Sequence, residues 1–282
     1  INTSASNIKG AVTNNNTLNL SGGTLSKAVS GSGTTNITGA VTSNSAISQA
    51  INVVAAGDLT INANNIGGAV TNAGDLILNG GTLTKAVTGA GTTSITGAVT
   101  ANSAISQTIS ISSSGDLTAN AGNIGGAVTN AGDLILTGGT LSKSVSGAGL
   151  TTITGNTTNS AGINQGVKVN SGITLTNNAA LGSASGSVTN AGTINSSADN
   201  IKGTVSNTGS LNLSGGTLSK AVSGSGKTTI TGNTTNSGGI NQGVTVNSGV
   251  TLTNNAALGS DSGTITNSGT INTSASNIKG AV

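Results

Sequence analysis

The chain has 282 residues and a formal net charge of +3, from nine Lys against six Asp. It contains no aromatic residue and no Pro, Cys, Met, His, Arg or Glu, which excludes disulfide frameworks, thiolate metal sites and Ser/His or Cys/His nucleophile pairs. Scarcity of large apolar residues often accompanies disorder, but that signature also needs high net charge, and here Leu, Ile and Val recur at regular spacing.

Repetition organises everything else. INTSASNIKGAV at Ile1 returns in altered form at Leu59, Leu117 and Ile194, and letter for letter at Ile271, so two shorter intervals precede two longer ones. The blocks are therefore 1–58, 59–116, 117–193 and 194–270, read as one continuous solenoid over 1–270, with 271–282 starting the next copy of a 270-residue unit. The start at Ile1 without Met reads as that of a mature or excised segment.

Within each block the apolar period is two. Leu18-Asn19-Leu20 and Ile109-Ser110-Ile111 put alternate residues on one face. The same alternation places Ile8, Gly10 and Val12 together, and likewise Ile37, Gly39 and Val41. Ser-Gly-Gly, Gly-Ser-Gly and Asn-Ala-Gly separate these runs and suit turns with positive φ. No stripe of helical period is sustained. Short strands with Gly-rich corners predict an all-β fold, a parallel β-solenoid of about fourteen coils of about 17–23 residues, three in each shorter block and four in each longer one. One coil could not stand alone, because backbone ordering costs about 1–2 kcal/mol per residue while each buried aliphatic side chain returns about 1.5–3 kcal/mol. A stack can, since each coil covers its neighbour.

Two phrases carry a resemblance: Thr17–Gly23 (TLNLSGG) and Val70–Leu78 (VTNAGDLIL). With the Asn/Thr/Gly/Ser richness and the missing Cys, they resemble the repetitive passenger regions of bacterial type V secreted surface proteins, the autotransporter and filamentous-haemagglutinin-like adhesins. The resemblance implies a right-handed parallel β-helix exported to the bacterial cell surface. Such passengers carry irregular insertions that bind ligands, and none is visible here. The expected function is accordingly a structural extracellular filament on a surface or in a biofilm matrix, with the rigid stalk of an adhesin as the alternative.

Several residues are candidates for contacts. Lys27, Lys85, Lys143 and Lys220 share one repeat position that aligns with nominally inward Gly10, Gly39, Gly68 and Gly97. An unpaired Lys in the core would be very costly, so the chain is expected to bend there and release it at a corner. The alternative is a Lys paired with an Asp or a terminal carbonyl across a subunit boundary. Ile77 and Ile135 lie between inward Leu residues and are expected to point outward as ordinary scattered exposed aliphatics, with lateral contact between filaments the less favoured reading. Asp58 with Asp75, and Asp116 with Asp133, should fall in successive coils as ordinary Gly-Asp turns, with a Ca²⁺ site the less favoured reading. Columns of Asn and Thr should form axial hydrogen-bonded ladders. Thr174-Leu175-Thr176 and Thr251-Leu252-Thr253 do not stack, which argues against an ice-binding array.

No catalytic, cofactor or metal site is expected, since six dispersed Asp single out no carboxylate pair. Thin positive charge without Arg or an aromatic platform argues against nucleic-acid binding. No apolar run approaches the roughly 20 residues of a membrane span. The expected partner is the chain itself, by end-to-end continuation or stacking and by lateral bundling.

Overall fold

The computed structural model describes residues 1–279 and 281. The fold is all-β, with parallel strands stacked into a β-solenoid of about 16 turns. The chain divides into two compact units, Ile1–Ile135 and Leu136–Val282.

In the first unit the strands stack in three columns that the chain visits in turn. The first column runs through Leu18, Thr35, Ile51, Val70 and Val87, then Ile105 and Ile124. The second runs through Gly23, Val41, Leu59, Leu76, Thr93, Ile109 and Val128. Val12, Val29, Ile47 and Ile66 begin the third. A 3₁₀ turn at Ala63–Asn65 continues it, receiving the next coil through Ala63 N–H to Gly80 O (2.7 Å) and Thr82 N–H to Asn64 Oδ1 (2.8 Å). Gly81, Val99 and Leu117 follow.

This register corrects the division of blocks into coils. Gly23 and Gly81 are equivalent in sequence, yet Gly23 lies in the second column and Gly81 in the third. A shorter block is therefore three coils plus one further face. The second unit behaves alike. Gly139 starts a column through Thr157, Leu175, Ile194 and Leu211, whereas its equivalent Gly216 lies in the next, with Thr234, Leu252 and Ile271. A longer block is four coils plus one face. The longest coils expected from the repeat boundaries contained that extra face. Down the first column the observed steps, Leu18 to Thr35, Ile51, Val70 and Val87, are shorter and more even.

Alternation along each short strand explains the core. Leu18, Leu20, Leu25 and Val29 are buried, while Asn19 between the first two lies half-exposed outside. Alternation does not run through the corners, however. Gly10 and Gly39 sit between strands rather than on an inward strand face, because the backbone turns there. A Cβ on Gly39 would collide with the carbonyl oxygen of Ser21 in the preceding coil. At Gly23 and Gly81, φ of +87° and +91° adds a conformational reason for glycine.

Candidate functional site

Two kinds of hydrogen-bonded ladder run along the stack. Outside, Asn36 Nδ2 donates to Asn19 Oδ1 (2.8 Å) and Asn52 Nδ2 to Asn36 Oδ1 (3.1 Å), continuing a row that starts at Asn2. Asn212 Nδ2 to Asn195 Oδ1 (2.8 Å) is a rung in the second unit. Inside, Asn159 Nδ2 donates to Asn177 Oδ1 (2.7 Å), and Asn177 Nδ2 to Ser196 Oγ (2.9 Å). An amide has both a donor and an acceptor, so one residue type can repeat indefinitely along such a row.

The interior also holds polar groups that the strand pattern alone does not reveal. Gln49, Gln107, Gln165 and Gln242 are the only glutamines of the chain, and all are buried. Each bonds a buried Thr at one constant offset earlier in the chain: Thr35, Thr93, Thr151 or Thr228. Gln107 reaches furthest. Its Oε1 accepts from Thr93 Oγ1 (2.7 Å) and Asn72 Nδ2 (2.8 Å), and its Nε2 donates to the carbonyls of Asn72 and Thr88. The equivalent Gln242 Oε1 has no partner. The sequence signal was the constant Thr-to-Gln offset, hidden because single Gln residues do not disturb the apolar period.

The lysines occupy bends between strands. Lys27, Lys85 and Lys143 are exposed, and Lys220 is half-buried. Lys27 lies between the second and third columns of its unit, but Lys85 between the third and the first, so the two do not form one line along the stack. Ile77 points outward, half-buried between Thr60 and Ser94 of the neighbouring coils. Ile135 is half-buried too.

Asp58 and Asp75 lie directly over one another in register and are exposed. Among the described residues no group of three carboxylates or other metal-ligating side chains assembles. Thr176 registers with Asn195 in one column and Thr253 with Asn272 in another, so the two Thr-Leu-Thr strands belong to different columns. In the second unit an open groove of about 450 Å³ runs beside the Asn ladder, lined by Thr176, Asn195, Asn212, Ser197, Ser214 and Thr231 among others. Hydroxyls and amides can hold or be held by hydrogen bonds, but none of the groove's lining groups titrates near neutral pH.

No family model matches the chain, and no curated protein or solved structure matches it either. No helix among the described residues is long and apolar enough to cross a membrane.

Proposed function

We propose that the chain is a structural element of an extracellular filament on a bacterial surface or in its matrix, and that its task is mechanical. The observation that carries this reading is the axial continuity within each unit: backbone pairing, aliphatic columns and amide ladders all run along the stacking direction. Pulling along that direction loads many parallel hydrogen bonds at once, and each coil is held by its neighbours. The resemblance to type V passenger regions supports the location, and the missing Cys fits export without oxidative folding.

Electron microscopy of the native material tests the proposal. Unbranched fibres with an axial repeat of about 4.8 Å are expected. Discrete rods ending at a membrane anchor would overturn the filament and assign the chain to the stalk of an adhesin.

A further inference from the structure

The corner after each Leu-x-Leu strand requires glycine. Gly22, Gly80, Gly138 and Gly215 are equivalent in sequence, and all take positive φ, from +123° to +144°. Residues with a Cβ rarely enter that region. The residue before the glycine varies: Ser21, Asn79, Thr137 or Ser214. Asn79–Gly80 is thereby the only Asn-Gly pair in the chain. The fold leaves this pair unguarded. Asn79 is exposed, and among the described residues its side-chain amide has no hydrogen-bond partner. Gly80 is buried, yet its N–H is not spent on a neighbouring coil. The groups on either side are spent: Asn79 N–H donates to Ile61 O (3.2 Å), and Gly80 O accepts from Ala63 N–H (2.7 Å). A buried backbone N–H without a partner is rare. Here it means that no hydrogen bond has to break before the Gly80 nitrogen reacts.

We propose that Asn79–Gly80 is a site of spontaneous covalent modification, at which the Gly80 nitrogen closes on the Asn79 side chain. Gly80 N gives its proton to hydroxide and bonds to Asn79 Cγ. The Cγ–Nδ2 bond breaks, and the amide nitrogen leaves as ammonia with a proton taken from water. Solvent water then opens the resulting succinimide at either carbonyl. One opening leaves an aspartate on an unaltered main chain. The other leaves an isoaspartyl residue, whose main chain runs through the former side chain and is longer by one methylene. That extra atom falls between the Asn79 N–H and the Gly80 carbonyl, which Ile61 O and Ala63 N–H of the preceding coil hold at fixed spacing. Both bonds cannot be kept, so the isoaspartyl product loosens the first unit at this corner. Either product adds one negative charge to a chain of net charge +3. The inference is independent of the filament reading.

The full chain, held at mildly alkaline pH and mapped by peptide mass spectrometry, tests the proposal, with isoaspartyl methyltransferase labelling to separate the two acids. Asn79 should gain the mass of an amide-to-acid exchange several-fold faster than Asn247, which is exposed at the head of a turn before Ser248. Both acids should appear, and the rate should climb with pH. Asn79→Ser, which copies Ser21 and Ser214, should remove the fast reaction and leave the circular dichroism unchanged. Conversion at Asn79 no faster than at Asn247, or aspartate without isoaspartate, would overturn the cyclisation. Hydrogen exchange at the Ala63 amide reads the consequence. It should quicken several-fold in the isoaspartyl chain but not in Asn79→Asp, which adds the charge without the extra atom. Equal exchange in the two would overturn the loosening.

Discussion

Asn72 Nδ2 donates a 2.8 Å hydrogen bond to Gln107 Oε1, two coils further along the chain, inside the solenoid core. The bond passes over the coil that contains Thr93, whose hydroxyl joins the same oxygen. Three consecutive coils are thereby stapled by one side chain. Gln107→Ala would leave the Thr93 hydroxyl and one N–H of the Asn72 amide, whose other N–H stays on Thr92 O, as buried unmatched donors, at about 1–3 kcal/mol each. Hydrogen exchange of the amides in strands Val70–Asn72 and Thr92–Ile95 should show faster opening by the corresponding amount. Gln242→Ala should cost less, because its Oε1 has no partner to abandon.

Face assignment can be tested on neighbouring residues. Leu76 is fully buried and Ile77 points outward. Leu76→Ala should lower stability by about 2–5 kcal/mol, whereas Ile77→Thr, which copies Thr60 in the adjoining coil, should change it by less than about 0.5 kcal/mol. Chemical denaturation of the two variants makes the comparison. If Ile77 contacts neighbouring filaments, the same substitution should reduce fibre bundling seen by electron microscopy.

Register between coils predicts a cross-link. Asp58 and Asp75 are direct neighbours in parallel strands, a separation of about 4.8 Å that suits a disulfide. Asp58→Cys with Asp75→Cys should oxidise readily within one chain. Lys27→Cys with Lys85→Cys should not, because the two lysines are three coils apart and lie at different corners. Failure of the 58–75 pair to cross-link would disprove the register.

Glycine at the corner is a steric and conformational requirement. Gly81 combines φ of +91° with a position where a Cβ would meet the Asn62 side chain. Gly81→Val should destabilise the first unit by more than about 2 kcal/mol. Thermal unfolding followed by circular dichroism would register the loss.

Much of the architecture is legible from residue order. Alternation at Leu18-Asn19-Leu20 identifies strand faces, and Gly-rich punctuation marks corners. Asn residues at matching block positions foretell the ladders. Gly39 shows the limit of this reading, since period-two counting continued through a bend where the backbone changes direction. The buried glutamines show a second limit. Gln107 reads as a surface residue by type, and only its partners one and two coils away make its burial tolerable.

Local sequence thus determined which short segments are strands and which are corners, with a core too narrow for anything but aliphatics and small polar groups; the 3₁₀ turns such as Ala63–Asn65 came only from the structure. How those segments stack was decided by tertiary structure. A repeat block has no reason to close on a whole number of coils, because the stacking unit is a face and the repeat is counted along the chain. The surplus face carries Gly81 one column beyond Gly23, and with it Lys85 beyond Lys27. Register between coils depends on pairings such as Leu18 with Thr35, Thr35 with Ile51 and Ile51 with Val70. Such partners are distant in sequence and become neighbours only when the chain has wound.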